Sequence, residues 1–256
     1  MTDKIDKNKS FFLKGSNEVG ILLLHGWTSP NEELFGLAEY LNSLGHTVSV
    51  PLLLGHGTKP EDLEHVTWKD WLAQSREELK KLERHCDRVF VGGISMGASL
   101  AMLLAKDKKV AGVFTMGAAM KYRFHTIVKM ALFFMGLTKK YRRKYYPPWV
   151  REYMKDRKVY MYYPIESAKE IVRLSDATRR FLPQIAKPIL IMQSTTDHMV
   201  PRKSPRMIFD GVKSETKEIF WVKDVYHVFA KERRVWEKIG EFIENNVKCQ
   251  SSNVKS

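Results

Sequence analysis

At 256 residues, 44% of them hydrophobic and 28% charged, the chain is long enough to bury a large core and too apolar for an intrinsically disordered polypeptide. No stretch approaches the roughly 20 apolar residues of a helical membrane span, and the polar residues 1–9 lack the apolar core of a secretory signal. The formal net charge of +14 admits an anionic partner or plain solubility, and Cys86 and Cys249 show no metal-type spacing, so a soluble cytoplasmic protein in a reducing compartment is expected, with a Cys86–Cys249 disulfide left open.

Phe11, Phe12 and Leu13 predict a short first strand. The continuous apolar run Val19-Gly20-Ile21-Leu22-Leu23-Leu24 predicts a strand buried on both faces, as in a parallel sheet, and it ends in His25-Gly26-Trp27. Leu34, Leu37, Ala38 and Leu41 recur at helical spacing over 32–44, and Gly45 follows as a helix-ending glycine. A strand over 47–50, a loop over 51–60 carrying Gly55-His56-Gly57, a helix near 67–84 and a strand over 88–92 come next. That strand enters Gly93-Ile94-Ser95-Met96-Gly97, and the helix formers of 98–106 follow. Further strands are expected over 110–115, 188–193 and 217–221, and a last helix over 231–245. Alternating strands and helices predict an α/β fold, a mostly parallel sheet covered on both faces, in one domain over 1–256 with a disordered tail over 247–256.

One segment breaks the alternation. Residues 120–181 need supply no strand to the main sheet, read as helical over 125–137 and 165–180, and are crowded with aromatics from Phe124 to Tyr163. An insertion of that length is expected to be a cap over the site. From Lys121 to Arg180 there are 16 basic and 5 acidic residues, so this segment carries most of the chain's +14. The tract Lys139-Lys140-Tyr141-Arg142-Arg143-Lys144-Tyr145-Tyr146 suits a solvated helix face, an anionic lipid surface or single-stranded nucleic acid, with nucleic acid the least favoured partner.

The chemistry centres on Ser95. A Gly-x-Ser-x-Gly pattern between a strand and a helix places a serine on a sharp turn whose small neighbours let the backbone fold back, at a helix N-terminus that favours developing negative charge. The plain alternative is a helix N-cap serine. A serine hydroxyl needs a base, and the base needs an orienting acid. In this topology the order is Ser, acid, His, which selects Asp197 after the strand at 188–193 and His227 after the strand at 217–221. Asp224 competes as the acid but lies only three residues before His227, and His198 is expected to point elsewhere because it adjoins Asp197. His125 is read as a pocket-lining or surface residue, and the histidines before Ser95 as turn and cap residues, with His25 also supporting the oxyanion loop. Oxyanion donors are expected at the backbone N–H of Met96, after the nucleophile, and of Trp27, whose ring also suits a wall of the substrate pocket.

The ordered set Leu22-Leu23-Leu24-His25-Gly26-Trp27, Gly55-His56-Gly57, Gly93-Ile94-Ser95-Met96-Gly97, Asp197-His198-Met199-Val200-Pro201 and His227 resembles the α/β-hydrolases, and within them the small microbial carboxylesterases and monoacylglycerol lipases. The resemblance covers about 19–245 and is weakest in the cap. It implies hydrolysis of a carboxylic ester without metal or organic cofactor, with Ser95 as nucleophile, His227 as base, Asp197 as its orienter and Trp27 and Met96 as oxyanion donors and substrate contacts. Trp27 stands where phenylalanine is more usual, which changes the expected size of the acyl pocket. The cap's apolar and aromatic residues suggest a small-molecule ester with a hydrophobic acyl chain. Thioester, amide or carbon–carbon cleavage on the same fold, or a non-catalytic binding or membrane-surface role, are the alternatives.

Overall fold

In the computed structural model, residues 6–120, 125–155 and 157–252 are described. Strands β1 (Phe11–Leu13), β2 (Val19–Leu24), β3 (Thr47–Val50), β4 (Arg88–Ile94) and β5 (Val110–Met116) alternate with helices α1 (Phe35–Ser43), α2 (Trp68–Glu83) and α3 (Met96–Leu104). The insertion then supplies α4 (His125–Thr138), β6 (Tyr141–Arg143), α5 (Pro148–Met154), β7 (Tyr162–Pro164) and α6 (Ile165–Phe181). The chain returns through β8 (Ile189–Ser194), α7 (Ser204–Gly211), β9 (Lys217–Val222) and α8 (Arg233–Ser252).

The main sheet has seven strands in the order β1-β3-β2-β4-β5-β8-β9. β1 is antiparallel to β3, and the remaining pairs are parallel. β2, β4, β5 and β8 lie inside the sheet, which is why they are near-continuous apolar runs. Side chains alternate between two cores. One packs Leu22, Leu24, Val89 and Val91 against α2, α3, α6 and α7, and the other packs Ile21, Leu23, Phe90 and Phe114 against α1 and α8. β3 and β4 flank β2 on opposite sides, so the chain reverses its direction of progress there. The carboxyl ends of β2 and β4 thus open a crevice at a topological switch point.

Several boundaries differ from the sequence reading. The stretch read as the first turns of a helix from residue 32 is a tight 3₁₀ turn, Asn31–Leu34, before α1. α8 runs on to Ser252, into the stretch expected to be a disordered tail, because Val247 packs on the core and its carbonyl accepts from Arg88 Nη1 at 3.0 Å. Residues 253–256 lie outside the described set, as does Phe124. The short sheet pairing β6 with β7 was not foreseen, nor were α5 and α7. Cys86 and Cys249 are not joined to each other.

Candidate active site

The turn after β4 holds Ser95 at φ 54°, ψ −109°, a conformation costly for any residue with a Cβ. It is held by a backbone bond from Ser95 N to Met116 O at 2.8 Å. The flanking glycines are steric necessities: a Cβ on Gly93 would lie 2.5 Å from Leu24 O, and one on Gly97 only 2.0 Å from the same oxygen. Side chains there would push the Ser95 turn off β2.

Asp197 and His227 come together from the ends of β8 and β9. Ser194 Oγ and Thr196 Oγ1 both donate to Val225 O, tying the two loops to each other. His227 Nδ1 then lies 2.8 Å from Asp197 Oδ2, and the Asp197 side chain is fully buried. Its Oδ2 also accepts from Gln193 Nε2 at 2.7 Å, while Oδ1 accepts from Met199 N and Val200 N, each at 2.8 Å. Burial alone would raise this acid's pKa. The charge of His227 and these hydrogen bonds outweigh it and hold Asp197 below the ordinary carboxylate value, so it is ionised at neutral pH. Because the carboxylate accepts the Nδ1 proton, Nε2 is the ring nitrogen left open to accept one. Asp224 sits exposed at φ 58° on a turn.

Met116 and Gly117 connect the two halves. Met116 O holds Ser95, and a Cβ on Gly117 would lie 3.1 Å from His227 Cε1, so the imidazole rests on the bare Cα of this residue. Ser95 and His227 both line one cavity of about 540 Å³. Its apolar arm is formed by Val128, Ala131, Leu132 and Met135 of α4 with Ala168, Ile171 and Val172 of α6, and its polar arm by Ser29, Glu33, Lys144 and Tyr146.

The loop after β2 carries Trp27 and Thr28. The N–H of Trp27 has no acceptor among the described residues, and that of Met96 opens α3, where a helix leaves its first N–H groups unpaired. Thr28 adopts φ 65° and is fixed on three sides: its N–H donates to His56 Nε2 at 3.0 Å, its O accepts from Tyr160 N at 3.1 Å, and Oγ1 accepts from Lys144 Nζ. His25 and His56 stack edge-to-face beneath it, 4.7 Å apart. Leu53 N donates to His25 Nε2, so His25 carries its proton on Nδ1, facing Gly26 O. Burial lowers the His25 pKa to about 4 and that of His56 well below 6.5, which keeps both rings neutral. The Trp27 indole lines the cavity, donates to Ser167 Oγ at 2.8 Å and packs 4.7 Å from Tyr163, so its extra ring is tied to the insertion. Among the described residues no group of three or more His, Cys, Asp and Glu is placed to hold a metal ion, and no helix is long and apolar enough to cross a membrane.

A family model described as Serine aminopeptidase, S33, matches residues 15–234. The chain belongs to this family of α/β-hydrolases. This S33 hydrolase is 33% identical over 222 residues to a thermostable monoacylglycerol lipase of Bacillus sp. (strain H-257), covering 85% of this chain and 86% of that one. It is 28% identical over 246 residues to a carboxylesterase of Bacillus subtilis (strain 168), covering 94% and 98%. A solved structure from work on LipS and LipT, two metagenome-derived lipolytic enzymes, superposes with a TM-score of 0.84 at 27% identity over 94% of this chain and 99% of that one. The monoacylglycerol lipase of Paleococcus ferrophilus shares the fold at a TM-score of 0.75 and 19% identity, over 93% and 98%. The protein is a serine hydrolase of the α/β fold, within the esterase and lipase family.

In this S33 hydrolase Ser95, His227 and Trp27 line one cavity, with Asp197 behind His227; Met96 follows Ser95 at the first position of α3 and is not one of the described residues that line it. His198 departs from expectation. It lines the same cavity with its ring 6.4 Å from His227, because the Asp197-to-Val200 turn curls back over the carboxylate. His125 opens α4, and its side chain lies outside the described residues. Sequence reasoning missed the polar arm. Glu33 is buried and accepts from Arg157 Nη1 at 3.0 Å; burial raises its pKa, opposed first by Arg157. Burial likewise lowers Lys144 to about 8 and pushes Tyr146 up to about 12. Nothing local marks these residues, since Glu33 and Arg157 are 124 positions apart.

Proposed function

We propose that the chain is a carboxylesterase of the monoacylglycerol lipase type, acting through Ser95, His227 and Asp197 and an acyl-enzyme. The observation that carries this reading is the bond from His227 Nδ1 to Asp197 at the cavity that Ser95 also lines. In the reaction, Ser95 Oγ attacks the ester carbonyl as His227 Nε2 takes its proton, and the oxyanion rests on the N–H groups of Trp27 and Met96. The collapsing intermediate expels the alcohol, which receives that proton. Water, deprotonated by the same nitrogen, then releases the acid and restores the serine. No step draws on a metal or organic cofactor.

The apolar arm favours an aliphatic acyl chain, and the relatives named as a monoacylglycerol lipase and a carboxylesterase favour an ester of that kind. Residues 120–181 act as a cap in this account, because α4 and α6 wall the apolar arm while Lys144 and Tyr160 fasten the oxyanion loop. We assign the cap's cationic surface to an anionic membrane rather than to nucleic acid, since a long-chain ester resides there, and we place the enzyme in cytoplasmic lipid metabolism. The test is a series of nitrophenyl esters of rising chain length, alongside an amide and a thioester of the same acyl group, with wild type and Ser95→Ala. Ester turnover peaking beyond the shortest acyl chains and lost in Ser95→Ala is expected. Full activity in Ser95→Ala, or a faster amide than ester, would overturn the assignment.

A further inference from the structure

The loop that carries the proposed oxyanion donor is held from the insertion. Thr28 is a β-branched residue at φ 65°, a conformation that persists only where contacts impose it. Its hydroxyl donates to Trp27 O and accepts from Lys144 Nζ, so a relay of two bonds runs from the lysine to the carbonyl of the residue whose N–H is the proposed donor. Ser167 Oγ accepts from the Trp27 indole at 2.8 Å, and Tyr160 N donates to Thr28 O at 3.1 Å. Lys144, Tyr160 and Ser167 all belong to 120–181, and of the three only Lys144 carries a charge. Its Nζ also stands 6.0 Å from the centre of the Trp27 ring, within reach of a cation–π attraction. Lys144 lines the cavity with Ser95, and the carboxylate that acts on it, Glu33, is itself bound to Arg157 at 3.0 Å.

We propose that Lys144 is a positioning residue whose ammonium charge keeps Thr28 and Trp27 in place, so that the N–H of Trp27 meets the oxyanion fully only while that charge is present. This rests on the reading of Trp27 as an oxyanion donor. A charged donor makes a hydrogen bond about twice as strong as a neutral one, and a neutral amine also gives up the attraction of the indole face. The charge is within reach of mild alkali, because burial lowers Lys144 to about 8, opposed by Glu33. The ammonium prevails below that value and the amine above it, so turnover falls as the pH rises through it. Lys144 is faced by Glu33, before α1, and His56, after β3, while Arg157, after α5, and His227 and Lys231, after β9, act on the same Glu33. Arg142, Arg143 and Tyr146 stand beside it on its own segment. His56 stays neutral over this range and Tyr146, pushed up to about 12, stays protonated, so neither supplies the change of charge.

The experiment follows hydrolysis of methyl butyrate, with butyrate measured by chromatography, between about pH 7 and 10 in the full chain and in Lys144→Met, Lys144→Gln and Lys144→Arg. At the lower end the Met and Gln variants should turn over about 10- to 100-fold more slowly than wild type, with KM within about threefold. Their kcat should not fall as the pH rises, whereas that of wild type should fall through a midpoint near 8 and converge on theirs. Lys144→Arg, charged throughout, should exceed Lys144→Gln and lack the alkaline fall. A merely structural contact would keep the ratio of wild type to Lys144→Met the same at every pH, and that result would overturn the proposal. The same alkaline fall in Lys144→Met would place the titrating group elsewhere and overturn it too. Ser95→Ala, run beside them, keeps two failures apart. Activity retained there would remove the assignment of the reaction, while Ser95-dependent turnover that does not change above pH 8 would remove the role of Lys144 alone.

Discussion

Replacing Asp197 by asparagine isolates the orienting role of the carboxylate. Its two oxygens accept four bonds, all from donors: Gln193 Nε2 and His227 Nδ1 at Oδ2, and the N–H groups of Met199 and Val200 at Oδ1. An asparagine has one oxygen for the two places. Turning its NH₂ toward Met199 and Val200 would set donor against donor at two backbone groups, at about 1–3 kcal/mol for each buried group left unmet. Turning it toward Gln193 and His227 costs less, because the Gln193 amide can flip to accept and the imidazole can change tautomer. The second arrangement wins, and in it His227 carries its proton on Nε2 and cannot take one from Ser95. Turnover of a short-chain nitrophenyl ester should fall by about 10⁴, or about 5.5 kcal/mol of barrier, with melting nearly unchanged. Turnover within tenfold of wild type would refute the reasoning, and an equal loss in Asp224→Asn would move the role to that residue.

Three further substitutions probe the surroundings. Gly117→Ala should lower turnover by about 10- to 100-fold, because the new Cβ would lie 3.1 Å from His227 Cε1 at a residue with φ 61°; steady-state kinetics beside a melting curve would separate displacement of the imidazole from unfolding. Glu33→Ala leaves Arg157 buried and unpaired and should cost about 3–5 kcal/mol in urea unfolding, while Glu33→Leu with Arg157→Met should recover much of that loss. His25 binds its proton at about 4 when folded and near 6.5 when unfolded, so the unfolded chain holds more protons between those values and stability falls as the pH drops through that window. This residue alone contributes up to about 3 kcal/mol to that slope, and His25→Asn should flatten it in unfolding curves taken from pH 6.5 down to 4.

The sheet and the residues of the proposed triad were legible in the chain because their signals are local or ordered along it. Val19–Leu24 and Val110–Met116 declare themselves as strands buried on both faces, and the Ser95 turn is marked by glycines that the approach of Leu24 O demands. Asp197 and His227 follow from the order in which such folds deliver their loops. What stayed hidden was set by contacts between distant residues. Three residues at 141–143 and three at 162–164 pair into a small sheet, too short for a period-two pattern and ending in Pro164. Gln193 reads as one more residue of a strand, yet it orients the acid. His56 was placed in a turn, where it sits, but its support of Thr28 requires the loops after β2 and β3 to be brought together in space. The polar arm rests on Glu33 and Arg157 from opposite sides of the fold, and only the folded insertion joins them.

The proposed chemistry rests on one reactive hydroxyl, made nucleophilic by an imidazole that a buried carboxylate holds in place. Labelling with a fluorophosphonate, read by intact mass and peptide mapping, tests this most directly. One adduct per chain on Ser95, formed at least about 10³-fold more slowly in His227→Gln and absent in Ser95→Ala, is the expected result. Rapid labelling that survives Ser95→Ala, or a His227→Gln variant labelled at the wild-type rate, would contradict it.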